Sequence, residues 1–319
     1  MTQGMTLRIG TRASALALWQ ARHVAAAISR QSDAPPVGLV HISTEGDARS
    51  DVPLWSVGGK AFFTKEIDRA LLAREIDVAV HSLKDLATQL EPGTALAAVL
   101  AREDPHDALL SRDALLLHQL PAAARVGSSS LRRRAFLAHI RPDLTAVELR
   151  GNVPTRIEKL KAGAYDAIIL ATAGLKRLGL EGYITCELSA QDFPPAVSQG
   201  AIGVCVRADD LHAKRWVGAL DDRAARLTTT AERALLASVE GGCQVPLGAL
   251  AMLSGEELHL HASVCALDGS SLLTATGKEA AHATNAVRLG ERVAQELLAK
   301  GAQQLIAKVR DKARAVAAP

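Results

Sequence analysis

The sequence predicts an α/β enzyme of two similar strand–helix lobes followed by a smaller α+β domain. Three observations carry that expectation. Short apolar runs alternate with helical stretches through the first two thirds of the chain, which is the pattern of a mostly parallel sheet. Polar and basic residues gather where those runs end. After about residue 221 the texture changes to a helix, a series of strands and a last helix. At 319 residues the chain is also longer than one ordinary core supports, so two or three domains are expected.

Taken in order, residues 7–10 read as a strand ending in a glycine turn. Residues 14–30 read as a helix whose inward face is traced by Leu16, Trp19, His23, Ala26 and Ala27. Residues 37–42 and 78–80 are further strands. Between them Thr64 is placed to cap a helix running to residue 74, with Ile67, Leu71 and Leu72 facing inward. The polar stretch 102–106 interrupts this unit as a possible hinge. A second unit follows: strand 125–127, helix from Ser130, strand 146–149, helix 153–162 and strand 167–170. Pro194 and Pro195 precede a crossing segment at 197–201. The last part reads as helix 230–239, strands 250–253, 258–264 and 271–276, and helix 287–299, with a frayed Ala-rich terminus. No internal repeat is strong enough to use.

Composition narrows the function classes. Hydrophobic content of 48% with 22% charged residues is globular. A formal net charge of +3 gives no reason to expect wrapping of nucleic acid, and 3% aromatic residues leave little for base stacking. No apolar run reaches the ~18 residues of a membrane span, and no basic-then-apolar leader pattern opens the chain, so the reducing cytoplasm is the expected compartment. Cys186, Cys205, Cys243 and Cys265 lie far apart, which excludes paired zinc-ligand spacing and a disulfide framework; no metal is expected. Arginine outnumbers lysine. A guanidinium pairs with a carboxylate or phosphate through two parallel hydrogen bonds, as an ammonium cannot.

The arginines with a shared setting are Arg12, Arg132, Arg133, Arg150 and Arg156, at strand-to-helix turns, with Arg177 after an apolar strand. Backbone amides and the helix dipole favour anions at such turns. Each arginine alone reads as a surface residue; together they describe a site for a substrate with several negative charges. Cys243 follows two glycines and precedes Val245-Pro246, a setting for an exposed turn thiol and a nucleophile, although a packed cysteine is the common alternative. His81-Ser82-Leu83-Lys84-Asp85 gathers an imidazole, a hydroxyl, an ammonium and a carboxylate at one strand end. Asp85 can move a proton or stabilise a cation there, or merely cap a solvated loop. The spacing does not suit a Ser-His-Asp triad. Val57-Gly58-Gly59-Lys60-Ala61 lacks the first glycine and the final hydroxyl of a phosphate loop. Lys60 on that glycine-rich loop can still gate a cleft.

These stretches resemble the hydroxymethylbilane synthase (porphobilinogen deaminase) family. The resemblance rests on residues 7–20 (LRIGTRASALALWQ), 58–66 (GGKAFFTKE), 77–88 (DVAVHSLKDLAT), 126–133 (VGSSSLRR), 149–156 (LRGNVPTR), 165–179 (YDAIILATAGLKRLG), 198–203 (SQGAIG) and 240–248 (EGGCQVPLG). It implies two periplasmic-binding-protein-like lobes around a cleft, 1–101 with 197–220 and 102–196, and a C-terminal α+β domain at 221–319. It implies head-to-tail condensation of four porphobilinogen molecules with loss of ammonia, giving linear hydroxymethylbilane for heme and other tetrapyrroles. A dipyrromethane cofactor is implied on Cys243 through a thioether, and Asp85 is the implied catalytic acid. Cofactor contacts fall on Lys84, Ser82, Ser130, Arg132, Arg133, Arg156 and Gln199. Substrate contacts fall on Arg12, Ser14, Arg150, Arg177, Lys60 and Phe63. The family analogy further implies a monomer with no nucleic-acid or membrane partner. Ser56, Ala87 and Ser198 depart from the usual lysine, proline and glycine.

Overall fold

The computed structural model describes residues 6–44, 64–239 and 245–317, so the expectations on Lys60, Phe63 and Cys243 lie outside the described residues. Within them the chain forms two compact units: 6–44, 64–103 and 200–226 in the first, and 104–199, 227–239 and 245–317 in the second. The passage out at 103/104 falls in the polar stretch singled out above, and the return at 199/200 falls in the crossing segment.

The first unit is built on a five-stranded sheet of β1 (Leu7–Thr11), β2 (Val37–His41), β3 (Val78–Ser82), β4 (Thr94–Val99) and β10 (Ile202–Arg207), in the order β2-β1-β3-β10-β4. β1 runs parallel to β2 and β3, whereas β10 is antiparallel to β3 and β4. All six residues of β10 are buried, as an apolar strand between two neighbours under helices on both faces should be. The period of two is explicit. Val78, Val80, Val204 and Val206 pack with Val24 and Ile28 of α1 (Ala15–Ser29), while Ala79 and Cys205 pack with Ile67 and Leu71 of α2 (Lys65–Leu72).

Two phase errors in the sequence reading are corrected here. The buried stripe of α1 is Gln20, Ala21, Val24 and Ile28, with the Trp19 and His23 rings stacked on each other at 5.0 Å along its margin. The large tryptophan drew the predicted face off by about one position. On α2, Leu72 is turned outward, and Thr64 precedes the helix without a side-chain cap.

The second unit carries β5 (Asp107–Ser111), β6 (Arg125–Gly127), β7 (Thr145–Val147), β8 (Ala167–Ala171) and β9 (Cys186–Glu187), in the order β7-β6-β8-β5-β9. β6 is parallel to β7 and β8, and β5 is antiparallel to β8 and β9. Each sheet therefore has three parallel strands, then an antiparallel strand, then an edge. The two lobes repeat one topology that the sequence does not display as a repeat. Their helices are α3 (Leu131–Ile140), α4 (Val153–Lys161) and α5 (Thr172–Arg177) in the second unit and α6 (Leu211–Gly218) in the first.

The smaller C-terminal layer belongs to the second unit. Helix α7 (Arg223–Ser238) leads into the antiparallel meander β11 (Leu247–Ser254), β12 (Glu257–Cys265) and β13 (Leu272–Ala280), followed by α8 (Ala283–Ala299) and α9 (Ala302–Ala317). Leu235, Leu258, Leu260, Leu289, Val293 and Leu297 form its core. A further helix, α9, follows the last expected one. Ala302, Ile306 and Val309 are buried, and an Ala-rich run has high intrinsic helix propensity once one face is docked.

Ser198 stands at φ 62°, in the left-handed region, and is fully buried. Its N–H donates to Glu232 Oε2 at 2.6 Å, while its hydroxyl finds no partner among the described residues. Both the left-handed backbone and the orphaned hydroxyl oppose folding. Ser198→Gly relieves them at the cost of a more flexible unfolded chain. The expected net stabilisation is about 1 kcal/mol, read as a rise of about 2–4 °C in the thermal midpoint.

Candidate functional site

In the first unit the parallel pairing of β1 and β3, Ile9 with Val78 and Gly10 with Ala79, brings their carboxyl ends to one sheet edge. Beyond β1 come Arg12 and Ser14, and Ser14 caps α1 by accepting from Ala17 N at 3.3 Å. Beyond β3 the chain enters a single 3₁₀ turn, Leu83–Asp85. Leu83 is its anchor, fully buried and with its N–H on Ala201 O at 3.0 Å. Lys84 and Asp85 remain half-buried on either side. Ser82 exchanges hydrogen bonds with the Gln20 amide at 2.9 and 3.3 Å, so α1 holds the end of β3.

Below this turn lies a buried titratable pair. His81 Nε2 is 3.9 Å from Asp68 Oδ1 and makes no hydrogen bond among the described residues. Burial pushes His81 down to about 4, and the nearby Arg12 charge acts in the same direction. Burial pushes Asp68 up to about 6. Unfolding therefore takes up a proton at His81 between pH 6.5 and 4, and releases one at Asp68 between pH 6 and 3.8, so their pH slopes oppose each other.

In the second unit the same edge logic applies. β6 ends in Ser128-Ser129-Ser130, and Ser130 caps α3 by accepting from Arg133 N at 3.4 Å. Ser129 Oγ donates to Leu149 O, tying this turn to the next. There Asn152 caps α4 through Thr155 N at 2.9 Å, Arg156 Nε donates to Gly151 O at 2.7 Å, and Lys159 Nζ donates to Arg150 O at 2.9 Å. Arg150 and Arg156 are half-buried; Arg177 is buried at the end of α5.

Arg132 and Arg133 are buried on Asp107. Arg132 Nη2 reaches Asp107 Oδ2 at 2.6 Å, and Arg133 Nε and Nη2 reach Oδ1 at 3.0 and 2.7 Å. Their remaining donors go to Pro194 O at 2.7 Å from Arg132 Nη1, and to Ile169 O at 2.8 Å from Arg133 Nη1. Gln199 Nε2 donates to Asp107 Oδ1 at 2.9 Å and Pro105 O at 2.8 Å. Burial by itself would raise the Asp107 carboxyl, but the two guanidinium charges override it and hold it well below the usual carboxylate range. One carboxylate against two guanidiniums leaves a positive charge on the trio, and Arg132 Nε is buried with no partner among the described residues. That chemistry fits a bound polycarboxylate.

The structure thus gathers Arg12, Ser14, Ser82, Lys84 and Asp85 at one edge, and Ser130, Arg132, Arg133, Arg150, Arg156 and Gln199 in the second unit. Sequence reasoning missed Asp107 and Glu232. The latter is fully buried on α7 and accepts from Ser198 N and from Ala251 N at 2.8 Å. An acid one turn before Leu235, on the apolar face of a helix, was the available signal. Of the described cysteines, Cys205 and Cys265 are buried, as their strand settings suggested, and burial pushes the Cys265 thiol up to about 11. One trio among the described residues, Asp104, His106 and Glu187, brings ligand atoms within 4.8 Å of one another. A cation already serves it: Lys176 Nζ lies 2.7 Å from Asp104 and 3.8 Å from Glu187.

Residues 7–215 match the family model described as porphobilinogen deaminase, dipyromethane cofactor binding domain, and residues 226–299 match the porphobilinogen deaminase C-terminal domain. The chain belongs to the porphobilinogen deaminase family. A porphobilinogen deaminase of Roseiflexus sp. strain RS-1 is 50% identical over 302 residues, covering 95% of this chain and 99% of the relative. That of Roseiflexus castenholzii is 48% identical over the same coverage. Among solved structures, the methionine binding protein MetQ is 12% identical, covers 72% of this chain and 93% of its own, and has a TM-score of 0.44. No helix among the described residues is long and apolar enough to cross a membrane.

Two outcomes follow for porphobilinogen deaminase residues of this chain. Asp107→Asn leaves both guanidiniums buried without their carboxylate and is expected to destabilise by about 3–5 kcal/mol in urea unfolding; a loss within experimental error would refute the pairing. His81→Gln removes the term that weakens the fold as pH falls. Relative to the unsubstituted chain, the variant should gain stability from pH 6.5 toward 4, by up to about 3 kcal/mol. Parallel stability–pH curves for the two proteins would show that His81 is not held neutral.

Proposed function

We propose that this chain is a hydroxymethylbilane synthase, a transferase that joins four porphobilinogen molecules head to tail with release of ammonia. The observation that carries the reading is the first unit's sheet edge, where adjacent parallel strands deliver Arg12 and the Lys84–Asp85 turn side by side. A carboxylate beside fixed cations suits a substrate that is anionic at its periphery and becomes cationic at its reacting carbon.

In this reading the Asp85 carboxylate accepts hydrogen bonds from pyrrole N–H groups and stabilises the positive charge that develops on porphobilinogen as its ammonia leaves. Such preorganised charge acts mainly in the transition state. Asp85 then takes the proton lost as the new pyrrole ring regains aromaticity. Arg12, Ser14, Arg150 and Arg177, with Lys60 and Phe63, bind substrate acetate and propionate groups and the ring face. Lys84, Ser82, Ser130, Arg132, Arg133, Arg156 and Gln199 hold a dipyrromethane group attached through the Cys243 sulfur. When bound, that group supplies the pyrrole carbon to which the first substrate couples. The net positive charge of the Arg132–Asp107–Arg133 trio supports an acidic group there, and the burial of Cys205 and Cys265 supports a different cysteine as the anchor. Fixing one partner in place converts a bimolecular encounter into a local one. We further assign the lobes to 1–101 with 197–220 and to 102–196, the C-terminal domain to 221–319, the compartment to the cytoplasm, and the active form to a monomer.

The test joins intact mass to kinetics. The purified chain should carry the added mass of a dipyrromethane, on a peptide containing Cys243, and lose it in Cys243→Ser. Asp85→Asn should keep that mass while its turnover of porphobilinogen drops by about 100-fold or more. An unmodified thiol in active enzyme, or normal turnover by Asp85→Asn, would overturn the reading.

A further inference from the structure

The helix that carries Ser130, Arg132 and Arg133 is gripped by the C-terminal sheet at both of its ends. Near its carboxyl end, the turn between β12 and β13 is pressed onto the backbone of α3. Gly269 lies at φ +75°, and a Cβ there would stand 2.4 Å from the Ala138 carbonyl carbon and 2.5 Å from His139 N. His139 Nδ1 is hydrogen-bonded to Gly269 O at 2.7 Å, and Cys265 Sγ donates to Ala135 O at 3.4 Å. Leu267 and Leu272 pack on the core that contains Ala135, Phe136 and Cys265. At the amino end, a Cβ on Gly248 of β11 would stand 2.3 Å from Pro194 O, the carbonyl that accepts from Arg132. Ala249 N donates to Pro195 O at 2.9 Å alongside.

The same strand also bonds to the chain shortly after Cys243 in the sequence. Cys265 N donates to Pro246 O at 3.0 Å, three residues beyond that thiol. One residue of β12 is therefore bonded through its backbone to Pro246 and through its side chain to α3.

We infer that the β12–β13 turn, through Gly269 and His139, is a positioning device that sets α3 and its basic first turn on the C-terminal sheet. The inference rests on the reading above, in which the cofactor must meet the thiol and the guanidiniums together. Close backbone packing transmits a shift rather than absorbing it, because such interiors have no spare volume. A side chain at 269 must move α3, the turn, or both. Neither Gly269 nor His139 is assigned a contact with substrate.

Gly255, in the β11–β12 turn, supplies the control: it has φ +58° but nothing within 4 Å of its Cβ position. Gly255→Ala and Gly269→Ala impose the same left-handed strain, and only the second imposes the clash. Full chain made in cells lacking porphobilinogen is given porphobilinogen, and the gain of covalent mass is timed well below the melting point. The unsubstituted chain and Gly255→Ala should load at similar rates. Gly269→Ala should load about tenfold or more slowly, since sub-ångström to ångström misplacement is felt at that scale. If the unsubstituted chain gains no mass, the cofactor reading itself fails. If it does and Gly269→Ala matches Gly255→Ala, the positioning inference fails. Should Gly269→Ala not fold, His139→Ala against His139→Asn decides. Asparagine presents an amide donor where Nδ1 stands, so it should restore loading that alanine slows; equal loading by both would overturn the inference. A purely structural role would lower the melting temperature without this split.

Discussion

One carboxylate compensating two buried guanidiniums is the constraint on which the second unit depends. Asp107 lies at the start of β5, where its pairing with Ala171 of β8 fixes its depth in the sheet. Arg132 and Arg133 are successive residues on α3, so they leave the helix in different directions. Both converge on Asp107 because it offers one oxygen to each. Burying charge is costly unless every donor and acceptor is served. Here backbone carbonyls at 169 and 194 and the Gln199 amide serve most of them. The trio still lacks one negative charge. That excess positive charge is what supports the acidic group proposed to bind there.

The lobes place their chemistry by one repeated rule. Parallel strands end at a common edge, and β1, β6 and β7 are each followed by a helix capped by a short polar side chain: Ser14, Ser130 and Asn152. The cap satisfies one amide of the first turn and fixes the direction in which the neighbouring arginine leaves the chain. Arg12 precedes the first cap, Arg132 and Arg133 follow the second, and Arg150 and Arg156 flank the third. The antiparallel strand inserted next to each parallel trio does different work. In the first unit it gives Leu83 the carbonyl that anchors the Asp85 turn, and in the second it supplies Asp107.

This rule was legible in the sequence, because caps, turns and apolar periods are local. The strands β1, β3, β6 and β8, the helices α1, α3 and α4 and the edge residues could be read from spacing. What could not be read was set by partners distant along the chain. Asp107 meets Arg132 and Arg133 across 25 and 26 residues, and Gln199 across 92. Nothing around a lone aspartate before Ala-Leu-Leu announces that meeting. The shared strand order of the two lobes was invisible for a related reason. Topology is fixed by which strand ends can pair without crossing connections, and two lobes can satisfy that condition with unrelated side chains. Helix α9 was misread because propensity without a visible partner face is a weak signal; Ile306 needed the core of the C-terminal sheet to give it one.

The pair beneath the Asp85 turn has a consequence for the charge at the first edge. At neutral pH the buried His81 is uncharged, so the group that titrates beneath the turn near pH 6 is the Asp68 carboxyl and not the imidazole. An ordinary histidine four residues before Asp85 would titrate near pH 6.5 and alter the field at the carboxylate close to neutrality. Burial of His81 by the same strand that delivers Asp85 removes the imidazole's share of that sensitivity, and Arg12 acts in the same direction. The imidazole is thus best understood as shape without charge: a buried polar ring that leaves Asp68 as the titrating member of the pair.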